Sequence, residues 1–349
     1  MRVVVAGGGP AGLCFGMLMK LRRPSTDVTV IERGRADETY GWGITLPRRT
    51  ISQLEPVDST TAREITSRSV TWDQIHVFHC GRRVDMAGTR LLGISRVALL
   101  DILRGRCQAL GVRLEFESAV EPASLPDCDL LVVADGARSA VRGAFASDFG
   151  TSSHEGRNRY VWLGTPRVFA GLSFCVAQTG HGPLVGHGYP FSADASTFVV
   201  ECGDDTWHNA GLAERSSEDT LQYLASVFAE PLRGRELLFR GPVRWTRFVH
   251  VNNERWHHDQ MVLIGDAAHA VHFSVGSGTM LGLEDAITLV DSLEEYAGLP
   301  AAFQQFEQAR KPILETFQSL EQVTVGRLER MHQFVTLEPL ELAYQLLSR

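Results

Sequence analysis

The first 35 residues constrain this chain more than any other stretch. Arg2-Val3-Val4-Val5-Ala6 is a β-branched apolar run with the composition of a short buried strand. Gly7-Gly8-Gly9-Pro10-Ala11-Gly12 follows, then a helical pattern from Leu13 to Lys20, then Val28-Thr29-Val30-Ile31 ending at Glu32. Strand, glycine turn, helix, strand and acid is the order of a dinucleotide-binding βαβ unit. Gly7 permits the tight turn, Gly9 lets a pyrophosphate approach the backbone, and Gly12 lets helix and strand pack closely. The helix start at Pro10 and Ala11 offers free N–H groups to phosphate, and Glu32 stands where a carboxylate can accept from a ribose hydroxyl. The motif does not choose between NAD and FAD.

The 349 residues are 44% hydrophobic, enough for a large core and about two domains. A net charge of −7 without a long basic run argues against nucleic-acid binding. No apolar run approaches the ~20 residues of a membrane span. With the first strand opening at once, no signal peptide is expected. The six cysteines (14, 80, 107, 128, 175 and 202) contain no C-x-x-C, which suits reduced thiols in a cytoplasmic protein.

Further along, residues 33–50 read as a loop that places Trp42 between Gly41 and Gly43, either as a packed aromatic or against a planar ligand. Residues 51–70 read as helical, and Trp72 to Arg83 as a hairpin turning at Cys80-Gly81. Arg96 opens an amphipathic helix. Such an arginine is solvated, or pairs with a phosphate if it faces the first strand. Asp129 to Ala134 is an apolar buried strand ending in Asp135-Gly136-Ala137-Arg138, at the end of a strand where open α/β sheets bind ligands. From about 158 to 255, short aromatic and β-branched runs indicate an inserted, mainly antiparallel sheet. The first domain returns at Met261-Val262-Leu263-Ile264, followed by Gly265-Asp266-Ala267-Ala268-His269 and Gly276-Ser277-Gly278-Thr279 before a helix near Met280. The tail from Pro300 is helical, with Pro312 expected to kink or restart it.

The glycine motif at 7–12, the Ala134–Arg142 block and Gly265-Asp266-Ala267-Ala268-His269 together resemble the single-component FAD-dependent aromatic hydroxylases of the para-hydroxybenzoate hydroxylase type. Gly41-Trp42-Gly43, Trp162-Leu163-Gly164-Thr165, Ser196 to Glu201 and His272 to Thr279 extend the resemblance to the salicylyl-CoA 5-hydroxylase and 2-aminobenzoyl-CoA monooxygenase flavin domain and the violacein-pathway hydroxylase. The resemblance implies an α/β fold. A Rossmann-like FAD-binding domain (1–71, 90–157 and 256–299) carries an inserted substrate sheet (72–89 and 158–255), and helices close the chain (300–349).

It implies FAD as cofactor and NADH or NADPH as co-substrate. Molecular oxygen would reach an activated ring through a flavin C4a-hydroperoxide. The substrate would be a small aromatic, on CoA, on a carrier protein or free. Without a second reductase-like domain in the sequence, a stand-alone hydroxylase is expected, as monomer or homodimer. Gly7, Gly9, Pro10, Ala11, Gly12, Glu32, Arg33 and Arg96 match the adenosine-diphosphate part. Asp135 and Gly136 match the block tied to FAD and pyridine nucleotide, and Asp266 the acid at the flavin-side ribose or ribityl chain. Gly276, Ser277, Gly278 and Thr279 match the loop facing the flavin ring. His187 and Tyr189, two apart in a strand, are candidates for substrate contact, with Trp42 and Phe273 as aromatic walls. His269 is read as a support for its loop. One departure is His272-Phe273-Ser274, where many relatives carry Pro. The rival readings are an indole hydroxylase or epoxidase, a flavin halogenase, an NAD-dependent dehydrogenase, and a non-catalytic flavoprotein-like partner.

Overall fold

A computed structural model describes residues 1–36 and 41–348. Two sheets organise them. In the first, strand β1 (Arg2–Ala6) leads through Gly7–Gly9 into helix α1 (Pro10–Arg22) and back to β2 (Asp27–Ile31). The sheet runs His257–His258, Met261–Leu263, Leu130–Val133, β1, β2, Arg113–Glu115, and every pairing is parallel except that of the first two strands. The chain leaves β1 for β2 on one side, whereas its other neighbour, Leu130–Val133, comes from far along the sequence. Four neighbouring parallel strands thus deliver Asp266, Asp135, Gly7 and Glu32 to one edge of the sheet. That edge is the usual ligand crevice of an open α/β sheet.

Helix α1 is buried on nearly all sides, from Gly12 through Met19, so its pattern is apolar rather than amphipathic. It packs against helices Arg96–Ala109 and Gly278–Glu295. Glycine is obligatory at the crossing: a Cβ on Gly12 would stand 2.1 Å from the Gly7 oxygen.

The second sheet has eight strands in the order Thr246–Asn253, Thr151–Thr165, Ser196–Cys202, Gly182–Pro190, Leu172–Thr179, Val70–His79, Arg82–Ser95, Gly43–Pro47. Only Val70–His79 and Leu172–Thr179 pair in parallel. One face packs on Leu224, Phe228 and Leu232 of the short helices after residue 204. Part of the other packs on Leu328, Leu342 and Leu346 of the C-terminal helices. The remainder of that second face looks toward the loops of the parallel sheet.

Several boundaries differ from the sequence reading. Gly43–Pro47, read as loop, is an edge strand paired with residues 91–95. The antiparallel sheet takes in residues 70–95 rather than 72–89, and its inserted part opens with a strand from Thr151 rather than near 158. Leu299–Leu328 is one helix that passes through Pro312 without restarting. It packs Phe303 and Phe306 into the parallel-sheet core and Leu328 against the antiparallel sheet, so the tail belongs to both. No helix among the described residues is long and apolar enough to cross a membrane.

Candidate active site and cofactor cleft

A groove of about 810 Å³ lies along the ligand edge of the parallel sheet. Its walls include Gly7, Gly9, Glu32, Arg33, Arg96, Asp135 and Gly136, all singled out from the sequence. Gly7 has φ +112°, and a Cβ there would meet the Ala134 backbone at 2.2 Å. A Cβ on Gly9 would meet nothing within 4 Å. The helix entrance is therefore closed by its own backbone at Gly7 and Gly12 but open to a ligand at Gly9. Glu32 accepts from the N–H of Gly8 at 2.7 Å and of Gly34 at 2.7 Å, one on each carboxylate oxygen. It braces the turn as well as facing the groove.

Arg96 begins its helix as expected, with its backbone N–H on the Trp42 carbonyl. Burial pulls its guanidinium down from the usual arginine range, against the opposing carboxylates of Asp266 and Glu32. Asp266 is exposed at its surface, yet protein surrounds it deeply enough to raise its carboxyl, against the pull of His269 and Arg96. Asp135 accepts from the Ala140 N–H through Oδ2, and its buried Oδ1 has no partner among the described residues. Open space over a helix N-terminus, a deep arginine and an unpartnered acceptor fit a dinucleotide pyrophosphate with its riboses.

The glycine loop opposite is held from below. Asp285 accepts from the Gly265 N–H at 2.9 Å, His269 Nε2 at 2.7 Å and Arg310 Nε at 2.7 Å. Arg310 also reaches Glu284 and the Leu281 carbonyl. Burial alone would raise the Asp285 carboxyl; His269 and Arg310 hold it at about 2. Arg142 and Asn253 tie the carbonyls of Ala267 and Ala268. His269 is thus engaged with the protein at the base of the loop. Gly276, with φ +70°, accepts from Thr45 Oγ1 through its carbonyl, and Ser277 and Gly278 open an 18-residue helix in which Thr279 follows.

Between this loop and the antiparallel sheet lies an aromatic layer. Phe273 packs on Tyr160 at 4.7 Å and edge-on to His187 at 5.6 Å. His187 and Tyr189 share a sheet face. The Tyr189 hydroxyl donates to the Gly43 carbonyl at 2.8 Å, and Thr197 Oγ1 donates to that carbonyl while accepting from the Gly43 N–H. Tyr189 is therefore used to dock residues 41–43. Trp42 lies against Gly164 on one side, with the Arg240 guanidinium 4.7 Å from its ring centroid.

Comparison with known proteins agrees with this geometry. Residues 121–318 match a family described as an FAD binding domain. The chain is 35% identical to a salicyloyl-CoA 5-hydroxylase from a Streptomyces species, over all of this chain and 70% of that protein. The chain belongs to the FAD-dependent aromatic monooxygenases. This monooxygenase is also 41% identical to a 3-hydroxy-4-methyl-anthranilyl-(aryl-carrier protein) 5-monooxygenase from Streptosporangium sibiricum, over 94% of this chain and 88% of the relative. It is 33% identical to protodeoxyviolaceinate monooxygenase from Chromobacterium violaceum, over 91% and 86%. Its fold superposes on tetrameric 2-methyl-3-hydroxypyridine-5-carboxylic acid oxygenase with a TM-score of 0.79, at 21% identity over 100% and 97% of the two chains.

Three features of the monooxygenase site escaped the sequence reading. Arg104 lines the groove two helical turns after Arg96, a spacing of eight that was available as a signal. Arg240 reaches the groove from the antiparallel sheet's loops, for which no local pattern exists. Glu201 is 1% exposed on the same sheet face as His187, the one charged residue of an otherwise uncharged, fully buried strand.

Proposed function

We propose that this monooxygenase hydroxylates an activated aromatic ring presented as an acyl thioester, on CoA or on a carrier protein, at the expense of NADH or NADPH. The observation that carries this reading is identity of 35% and 41%, across essentially the whole chain, to two relatives whose names specify CoA- and carrier-bound aryl groups.

Gly9, the α1 N-terminus and Arg96 would hold the FAD pyrophosphate, and Glu32 and Arg33 the adenosine end. Asp135 and Gly136 border its path, Asp266 would meet the ribityl side, and the N–H groups of Gly276 to Thr279 the flavin ring. Bound FAD supplies the oxygen-activating chemistry. The protein's own work is placement and exclusion of water. Phe273, Tyr160 and His187 form an apolar wall with one polar edge, against which a planar ring can lie. Tyr189 and Thr197 fix Gly43, which seats Trp42 and keeps that side of the chamber closed.

The test is product mass after incubation with NADH or NADPH and oxygen. The panel is salicyloyl-CoA, 2-aminobenzoyl-CoA, the two free acids and tryptophan. One added oxygen on a thioester but not on its free acid supports the proposal. A second reading, hydroxylation of tryptophan or another indole-derived substrate, is favoured by the likeness to protodeoxyviolaceinate monooxygenase. A product from tryptophan alone would establish it instead.

A further inference from the structure

Next to Phe273, His187 belongs to a buried polar cluster with no part in the cofactor cleft. His187 is 4% exposed and Glu201 1%, and His187 Nε2 stands 3.3 Å from Glu201 Oε2. The other carboxylate oxygen accepts from Asn158 Nδ2 at 2.7 Å. A buried carboxylate is costly unless paired and hydrogen-bonded, and leucine or valine would fill the same strand position more cheaply. Burial by itself would raise the Glu201 carboxyl. The hydrogen bond with His187 and the neighbouring His272 hold it below its usual range, so it is an ionised, acceptor-only group.

In the neutral imidazole, an ionised carboxylate at Nε2 fixes the tautomer, with the hydrogen on Nε2 and the lone pair on Nδ1. None of the hydrogen bonds among the described residues uses Nδ1. The other groups around the cluster are already engaged. His272 Nδ1 faces Ser274, and the His272 backbone N–H and His250 Nδ1 both face Glu321. His250 stacks on exposed His154. Tyr160 packs its ring on Phe273.

We propose that Glu201 is a positioning residue that presents His187 Nδ1 as a bare acceptor, so that the site selects rings bearing an O–H or N–H donor. This rests on the reading above that the aromatic ring lies against the His187 and Phe273 face. A buried acceptor left unpaired by a ring without a donor discriminates strongly, whereas apolar contacts alone would treat both rings alike.

The experiment measures binding of salicyloyl-CoA and benzoyl-CoA to the oxidised holoenzyme through perturbation of flavin absorbance, with 15N-histidine spectra of the same protein. The wild type should favour salicyloyl-CoA by at least about ten-fold and show His187 with hydrogen on Nε2. Glu201→Gln should erase most of that preference and disturb the tautomer while leaving benzoyl-CoA affinity within about two-fold. His187→Gln gives a second variant with the same expected loss of preference. An unchanged preference in both variants, or a wild-type His187 carrying its hydrogen on Nδ1, overturns the inference. If neither thioester binds the wild type, the thioester reading fails. The spectra alone then decide: the Nε2–H tautomer in the wild type and its loss in Glu201→Gln support the inference, and any other pattern overturns it.

Discussion

His269 Nε2 lies 2.7 Å from Asp285 Oδ2, joining the Gly265-Asp266 loop to the middle of helix Gly278–Glu295. The same carboxylate receives the Gly265 N–H and Arg310 Nε. One buried acid therefore sets the position of the loop that carries Asp266. His269 is a brace for that loop.

Replacing Asp285 with Asn should cost on the order of 3–5 kcal/mol, because Arg310 is left buried with only part of its compensation. Thermal unfolding measures the loss, and flavin should dissociate more readily on gel filtration. The pH dependence follows from a folded carboxyl held at about 2 against an ordinary value of 3.8. Its stabilisation is fully present above 3.8 and disappears as pH falls toward about 2. Asp285→Asn should lose that segment of the acid-unfolding curve.

Gly9 and Gly12 should separate cofactor binding from folding. Gly9 is extended, with φ −75° and ψ 177°, and a side chain there meets no protein atom within 4 Å. Gly9→Val should leave apoprotein stability within about 0.5 kcal/mol while abolishing retention of flavin. Gly12→Ala sets a Cβ 2.1 Å from the Gly7 oxygen and should lower the apoprotein melting temperature as well. Equal stability losses in the two variants would refute the assignment.

Much of this site was legible because its pieces are local. Each motif is a strand, a loop at its carboxyl end and a helix, and parallel pairing brings those loops to one edge. The seat of Gly43 was not legible. It depends on Thr197, 154 residues away, and no pattern within residues 33–50 carries that information. The surroundings of Trp42 were hidden for the same reason, since its neighbours Gly164 and Arg240 are distant in sequence. Glu201 was visible as an acid in a β-branched run, but only the diagonal neighbour on the adjacent strand reveals its partner.

Glu32 offers a direct test of a residue with two tasks. Its carboxylate takes one N–H on each oxygen. In Glu32→Gln the amide keeps one acceptor and turns an N–H toward the other backbone N–H. FAD affinity should fall by about ten-fold or more, and stability by about 1–3 kcal/mol, measured by flavin titration and by denaturant unfolding.

His272 should make the fold sensitive to mild acid. Burial pushes its imidazole from 6.5 down to about 4, against the raising influence of Glu201 and Glu321. The unfolded chain therefore takes up this proton at a higher pH than the folded chain. Stability falls as pH drops from about 6.5 and the decline levels off near 4. His272→Asn keeps an acceptor for the Ser274 N–H and has no titrating ring, so its melting temperature should vary less across that window.

The ring should react between the His187 and Phe273 face and the Gly276–Thr279 loop. The most direct measurement is a crystal structure of the holoenzyme with FAD and salicyloyl-CoA bound. FAD should lie along the groove past Gly9 and Arg96, with the aromatic ring between Phe273 and the flavin and its hydroxyl on His187. A salicyloyl ring bound outside that chamber, for instance in the surface pocket beside Leu340 and Tyr344, would contradict this placement.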